Sequence, residues 1–232
     1  MNNLEIRNHP MFYEIYISGS PENLKLYSKN LIPGTKVYGE NLIKYKGIEY
    51  REWDPFRSKF AALILERPIK NFLRNDLKCL YLGASSGTTI SHLSDVIKDG
   101  IIYGVEFAER SIRQLIQNIS NRFNVIPILG DARYPESYFK SIFTEIDLIY
   151  QDIAQSNQAE IAIANCNYYL KENGLLIVAI KSQSIDSVAK SDKVYKEEKK
   201  ILVNAGYEII ESLNIHKYAA NHIILVVQKK TN

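Results

Sequence analysis

From Lys78 onward, continuous apolar runs alternate with segments whose apolar residues recur at helical spacing. The apolar runs predict strands at 78–83, 101–107, 125–130, 146–152 and 175–180. The helical spacing predicts helices at 88–97, 108–121, 157–170 and 193–204. Continuous apolar strands separated by amphipathic helices are typical of a parallel sheet that is covered on both faces.

The end of the chain departs from this alternation. Segments 207–215 and 222–228 have the composition of strands, but too few residues separate them for a crossover helix. They are therefore expected to pair antiparallel. A Rossmann-like, mostly parallel sheet that ends in an antiparallel C-terminal hairpin is the layout of the class I S-adenosylmethionine-dependent methyltransferases, whereas a dinucleotide dehydrogenase more often continues with parallel units. The sequence thus predicts an α/β methyltransferase domain at 55–232.

The first part of the chain has a different, tyrosine-rich pattern. Alternation at 12–18 and short apolar runs at 36–38, 42–45 and 48–50 predict strands, with Gly34, Gly39 and Gly47 between them. This pattern indicates a small β-rich domain at 1–54. A helical pattern follows at 60–65 and should end near Pro68.

Composition excludes several classes of protein. The 232 residues are 46% hydrophobic and 24% charged, an ordinary globular balance, and the net charge is only +3, far from that of a densely cationic nucleic-acid binder. Cys79 and Cys166 have no metal-type spacing and are expected to be buried, reduced thiols. Neither a secretory signal nor an apolar run of about 20 residues is visible, so we expect a cytoplasmic, intracellular protein with no membrane partner.

The first chemical motif is the turn that follows the first apolar strand of the predicted sheet. Gly83 permits a tight turn, Gly87 lets the backbone come close to a ligand or to the sheet, and Thr88 or Thr89 can cap the helix that begins there. A glycine turn of this kind also occurs in many α/β proteins that bind nothing at that place. Alone, it is weak support for a cofactor site.

Acidic residues at the ends of the next three strands strengthen this interpretation. Glu106 lies about twenty residues after the turn and suits two ribose hydroxyls. Asp131 is placed to accept from an adenine amino group, and Asp152 closes the fourth strand. Any one of them could be a helix cap or a surface carboxylate, but three at one sheet edge indicate a cofactor crevice. Because the turn lacks both the dinucleotide and the P-loop glycine patterns, the expected cofactor is S-adenosylmethionine.

Together these segments resemble fibrillarin, the family of guide-RNA-directed ribose 2′-O-methyltransferases. The matching strings are YREWDPFRSK at 50–59, GASSGTTISHLSD at 83–95, VEF at 105–107, GDAR at 130–133, DIAQ at 152–155 with Gln158, and Ile180-Lys181. The resemblance covers nearly the whole chain. It is nearest to the shorter archaeal form, since the sequence has no Gly/Arg-rich segment.

The resemblance implies two sets of site residues. The cofactor would be held by Gly83, Thr88, Thr89, Glu106, Phe107, Asp131, Ala132, Asp152 and Gln155. The catalytic set would be Lys59, Asp152, Lys181 and His222. Two of these residues have a plain structural alternative: Phe107 as core packing rather than an adenine stack, and His222 as a satisfied structural histidine.

The expected chemistry is attack of a ribose hydroxyl on an activated methyl group. Lys181 would orient the hydroxyl and is a candidate to accept its proton, for which the amine must be neutral. A neighbouring cation such as Lys59 favours the neutral form and Asp152 favours the charged one, so the sequence leaves orientation and proton removal both open.

The family resemblance also implies the partners. It implies a Nop-type scaffold protein, a kink-turn-binding ribosomal-type protein, a box C/D guide RNA and target rRNA or tRNA. Four arginines are candidates to meet phosphates at the crevice: Arg110, Arg113, Arg122 and Arg133. The charged run at 196–200 instead predicts a solvated helix face. Two other functions stay open: methylation of a protein glutamine side chain, and a catalytically idle ribonucleoprotein subunit.

Overall fold

The computed structural model describes residues 5–230. The N-terminal part forms an antiparallel sheet with the strand order β1-β2-β3-β5-β4. Its strands are β1 (Arg7–Asn8), β2 (Ile15–Ser18), β3 (Lys25–Lys29), β4 (Leu42–Tyr45) and β5 (Ile48–Glu52). The helix α1 (Lys59–Leu65) connects this sheet to the rest of the chain.

The remainder forms a seven-stranded sheet with the order β11-β12-β10-β9-β6-β7-β8. Its strands are β6 (Lys78–Leu82), β7 (Ile101–Glu106), β8 (Val125–Leu129), β9 (Ile146–Gln151), β10 (Leu170–Lys181), β11 (Tyr207–Asn214) and β12 (His222–Lys229). Its helices are α2 (Thr88–Val96), α3 (Glu109–Ile119), α4 (Gln158–Tyr169), α5 (Ser182–Ile185) and α6 (Ser191–Asn204), with a 3₁₀ segment at Pro135–Ser141.

The topology confirms the predicted Rossmann-like fold. Strands β6 to β10 pair in parallel, while β12 is antiparallel to both β10 and β11. The strand order reverses at β6, which has β7 on one side and β9 on the other. In open α/β sheets, ligands bind beyond the carboxyl ends of the strands at such a switch point.

Residues alternate between two cores because successive strand side chains point to opposite faces of the sheet. On β6, Cys79 and Tyr81 face one core, while Leu80 and Leu82 face the other. The core on the Tyr81 side also contains apolar residues of the N-terminal sheet, such as Leu26. The two sheets therefore share one hydrophobic core.

A buried ion network joins the sheets as well. Arg51 of β5 contacts Glu40 at 2.6 Å, Asp95 of α2 at 2.8 Å and Ser91 at 2.9 Å. Asp95 in turn accepts from Arg122 at 2.6 Å. Buried charges need this degree of pairing, and the network fixes α2 against the N-terminal sheet.

Several local predictions were wrong. Residues 36–38 form no strand, because the Glu40 carboxylate accepts from the backbone N–H groups of Val37 and Tyr38 at 2.9–3.1 Å and so replaces a ladder. The strand β3 was not predicted, since its inner positions include Tyr27 and Ser28. In the charged run of α6, Glu198 is buried rather than solvated.

Two smaller findings concern the cysteines and the membrane. Cys79 and Cys166 are free and buried, as predicted. Between residues 5 and 230, no helix combines the length and the apolar character that a membrane span requires.

Candidate functional site

A cavity of about 180 Å³ lies beyond the carboxyl ends of β6, β7, β8 and β9. It is lined by Gly83, Ser85, Val105, Glu106, Phe107, Gly130, Ala132 and the segment 152–155. Six of the nine residues expected to hold the cofactor are in this lining. Thr88, Thr89 and Asp131 are not.

The glycine turn brings β6 close to β9. Gly83 has a φ of +86°, and a Cβ at this position would lie 2.3 Å from the carbonyl oxygen of Asp152. Only glycine fits there without displacing the backbone that carries Asp152.

The start of α2 differs from the prediction. Gly87, with a φ of 106°, is the N-cap residue and no side chain caps the helix, so the predicted threonine cap was wrong. Thr89 is buried and its hydroxyl instead donates to Ser58 Oγ at 2.9 Å. Ser58 is the N-cap of α1, whose first residue is Lys59. Thr89 therefore connects the cofactor turn to the helix that carries a candidate catalytic lysine.

Glu106 is held rigidly at the cavity wall. Its two carboxylate oxygens each accept one backbone N–H, from Ser85 and from Ala108, both at 2.9 Å. Each oxygen keeps a further lone pair for a ligand. A fixed carboxylate with two free acceptor positions suits a pair of neighbouring ribose hydroxyls.

Two further features of the lining fit a nucleoside cofactor. The Phe107 side chain is 60% exposed, so it is not part of the core and offers an apolar face on which a base can stack. Gln155 Oε1 is buried and has no hydrogen-bond partner within the described residues. A buried acceptor of this kind calls for a donor such as an amino group. The residues therefore fit S-adenosylmethionine.

Asp131 is arranged differently from Glu106. Its carboxylate accepts from Arg133 at 2.6–3.1 Å through both oxygens, and this hydrogen bonding lowers the pKa of Asp131. In this arrangement Asp131 faces Arg133, and its neighbours Gly130 and Ala132 form the cavity wall.

Lys59 and Asp152 form an ion pair at the edge of the cavity. Lys59 Nζ lies 2.8 Å and 2.9 Å from the two carboxylate oxygens of Asp152. The two residues are 93 positions apart in the chain, and both side chains are largely shielded from solvent. Asp152 is thus shared between the cofactor cavity and this cationic partner.

The other two candidate catalytic residues are direct neighbours in the sheet. Lys181 ends β10 and is paired in register with His222, which begins β12. Burial lowers the pKa of His222 most, and the charges of Lys59 and Lys181 lower it further, against the opposing effects of Asp152 and the Ala220 carbonyl. His222 therefore lies within electrostatic reach of each of the other three candidate residues.

The geometry also defines the tautomer of His222. Nδ1 lies 2.7 Å from the carbonyl oxygen of Ala220, which can only accept, so the neutral ring carries its proton on Nδ1. Nε2 is then left as an acceptor.

The predicted phosphate-binding arginines do not form one group. Arg122 is buried and bonded to Asp95, so that prediction was wrong for it. Arg110, Arg113 and Arg133 are exposed, but Arg113 lies 3.3 Å from Glu109 and Arg133 is bonded to Asp131.

The sequence matches one family model, described as Fibrillarin, over residues 6–231. A Saccharolobus islandicus protein named fibrillarin-like rRNA/tRNA 2′-O-methyltransferase is 46% identical over 209 residues, which are 90% of each chain.

Two solved structures are similar along most of their length. Aeropyrum pernix fibrillarin in complex with natively bound S-adenosyl-L-methionine has a TM-score of 0.88 and 39% identity, over 98% of this chain and 100% of that chain. A fibrillarin/Nop5p complex matches with a TM-score of 0.81 and 40% identity, over 89% of this chain and 94% of that chain. With the sheet order, the cavity and the family model in agreement, the chain belongs to the fibrillarin family.

Proposed function

We propose that this chain transfers the methyl group of S-adenosylmethionine to ribose 2′-hydroxyls of rRNA and tRNA, as the catalytic subunit of a box C/D ribonucleoprotein. The observation that carries this proposal is the Lys59–Asp152 ion pair at the wall of the cavity. It lies within electrostatic reach of the His222 side chain, which is the neighbour of Lys181. Two cations, a carboxylate and a neutral imidazole suit the transfer of a proton from a hydroxyl.

Substrate and partners are supported by the relatives. The Saccharolobus protein is named for rRNA and tRNA 2′-O-methylation, and the Nop5p complex supports a Nop-type scaffold as a partner. We extend this to a kink-turn-binding protein and a box C/D guide RNA, which the family resemblance implies. A net charge of +3 also supports the proposal that partners supply most of the RNA binding, because the chain alone carries little positive charge to bind phosphates.

Three residues of the cavity lining have an assigned part in holding the cofactor. Glu106 would bind the ribose hydroxyls, Phe107 would stack on the adenine, and the free Oε1 of Gln155 would accept from an amino group. Bound there, S-adenosylmethionine supplies an activated methyl group. The protein has mainly to orient the hydroxyl and remove its proton.

Asp152 is held in one orientation by Lys59, which compensates its charge. Each carboxylate oxygen still has a lone pair to accept from the substrate hydroxyl. Lys181 orients the hydroxyl from the next strand, and the Nε2 atom of His222 is a neutral acceptor for the proton. These roles require that β9, β10 and β12 stay paired in register, because Asp152, Lys181 and His222 lie at the ends of these strands.

The test is methyl transfer in a reconstituted complex with scaffold, kink-turn-binding protein and guide RNA. Lys181→Ala should reduce methylation of a guide-matched RNA by about 10²-fold or more, because it removes a group that acts on the hydroxyl. Binding of S-adenosylmethionine, measured by calorimetry, should be unchanged. Lys196→Ala is the matched control, because Lys196 is an exposed lysine on α6.

Three results would contradict the proposal. Undiminished methylation by Lys181→Ala would exclude the catalytic role of that residue. Equal methylation with a mismatched guide would exclude guide direction. Transfer of the methyl group to a protein glutamine side chain rather than to RNA would support the alternative function, methylation of a protein.

A further inference from the structure

The ladder between β9 and β10 ends before β10 does. Val178, which pairs with Gln151, is the last residue of β10 that pairs with β9. The strand β10 nevertheless continues to Lys181. On its other side, β10 stays paired with β12 as far as His222. Across residues 5–230, the last three residues of β10 thus have a strand neighbour on one side only.

The side chain of Gln158 occupies the unpaired side. Its Oε1 accepts from the backbone N–H of Lys181 at 2.9 Å, and its Nε2 lies 3.3 Å from the Lys181 carbonyl oxygen. One amide group thus offers Lys181 a C=O and an N–H, as the backbone of a neighbouring strand would.

Gln158 is itself fixed on the β9 side. Its Nε2 also donates to the carbonyl oxygen of Gln155 at 2.8 Å, and its own carbonyl oxygen accepts from Gln151 Nε2 at 2.8 Å. The residue is 0% exposed and is the first of α4. It therefore connects the loop that lines the cofactor cavity to the backbone of Lys181.

We propose that Gln158 is a positioning residue for methyl transfer, which acts by holding the backbone of Lys181 in register beyond the end of the β9 ladder. This rests on the catalytic role proposed above for Lys181. A lysine side chain is long and has many rotamers, so the position of its amine depends on where its Cα is held. Loss of the amide releases that Cα without removing any group that touches the substrate.

The first measurement does not depend on activity. In Gln158→Leu, hydrogen exchange of the Lys181 amide should accelerate by about 10-fold or more, because its acceptor is lost. Gln158→Glu keeps an acceptor for that amide and should exchange at an intermediate rate. If Gln158→Leu does not fold, Gln158→Met gives an unbranched apolar side chain of similar length for the same measurement.

The second measurement is turnover in the reconstituted complex. Gln158→Leu should lower kcat by roughly 10- to 100-fold, as expected for a misplaced catalytic group. The Kd for S-adenosylmethionine should rise by less than kcat falls, by at most about 10-fold, because the variant also loses the bond to the Gln155 carbonyl in the cavity wall. Asn124→Leu is the matched control, because Asn124 is also an amide that bonds two carbonyl groups, those of Ser94 and Ile97, both at 2.9 Å, but it does so at α2.

Unchanged exchange of the Lys181 amide in a folded Gln158 variant would overturn the proposal. So would a loss of kcat no greater than that of Asn124→Leu. If the wild-type complex transfers no methyl group to RNA, the proposed function fails, while amide exchange still decides whether Gln158 holds Lys181.

Discussion

At the scale of single residues, the acidic groups of the cavity differ in how freely they can meet a ligand. Glu106 accepts only backbone N–H groups and has no cationic side chain bonded to it in the described part of the chain. Asp131 and Asp152 are each bonded to a cation, Arg133 and Lys59. Of these three carboxylates, Glu106 is therefore the acceptor for which ligand hydroxyls compete least with a cationic side chain.

Glu106→Gln should weaken cofactor binding. The amide NH₂ would face the N–H of Ser85 or Ala108, so one buried donor loses its acceptor and the side chain turns away from the ribose. We expect the Kd for S-adenosylmethionine, measured by calorimetry, to rise by about 10- to 100-fold, with kcat at saturation within about 3-fold. Glu109→Gln, a change at an exposed residue three positions along the chain, is the control; an unaltered Kd for Glu106→Gln would refute the assignment.

At the scale of elements, α4 is anchored from a neighbouring helix. Glu198 of α6 accepts from the backbone N–H of Ala159 at 2.8 Å, in the first turn of α4. Burial and, to a smaller extent, the charge of Glu160 raise the pKa of Glu198 to about 7, against the opposing hydrogen bond from Ala159. The helix that begins with Gln158 is thus capped by a carboxyl group that titrates near neutral pH.

Glu198→Gln should stabilise the protein at pH 8 but not at pH 4.5. A folded pKa of about 7 against an ordinary value of 4.5 means that wild-type stability falls as pH rises from 4.5 through 7. Glutamine keeps the acceptor for Ala159 and does not titrate. The free energy of unfolding in urea should therefore be higher for Glu198→Gln than for the wild type. The difference should grow over that pH range to on the order of 1–3 kcal/mol at pH 8.

The control for this change is Glu197→Gln, since Glu197 is exposed on the same helix. It should have no comparable effect at either pH. A Glu198→Gln advantage of the same size at pH 4.5 and pH 8 would show that titration of this carboxyl group does not govern the difference.

How well the sequence predicted each element depended on whether its apolar pattern was local. The parallel strands contain continuous apolar runs, and their bounds were predicted to within one residue, except that β10 begins five residues earlier than predicted. Glu198 was predicted to be solvated because it is charged and lies in a charged run. Its spacing indicates burial instead, since it lies four residues from Val194 and from Leu202, which are both buried. The bonds of Thr89 and Gln158 join segments that are 31 and 23 residues apart, so no local pattern indicates them.

At the scale of the whole molecule, the two sheets are joined where a domain boundary was predicted. Trp53 lies at this junction and stacks on His92 of α2 at 4.7 Å and on Phe60 of α1 at 6.0 Å. Arg51, two residues earlier, is bonded to the same helix α2. The N-terminal sheet thus supports both the cofactor turn, through α2, and Lys59, through α1.

The same scale determines how the chain meets RNA. Its 29 basic and 26 acidic residues leave a net charge of +3, and three of the four candidate phosphate-binding arginines are paired with acids: Arg113, Arg122 and Arg133. Binding to single-stranded RNA weakens with salt by about 0.7 of a logarithmic unit per phosphate neutralised and tenfold change in salt. A surface that neutralises about three phosphates therefore gives a slope near −2.

We accordingly expect the isolated chain to bind target RNA weakly, with a slope of log K against log salt no steeper than about −2 in fluorescence anisotropy. The reconstituted complex should give a steeper slope and guide-dependent affinity, because scaffold, kink-turn-binding protein and base pairing then supply most of the contacts. A slope steeper than about −5 for the chain alone would require a concentrated cationic surface. That result would contradict the argument that RNA specificity is delegated to partners, and would do so independently of the catalytic residues.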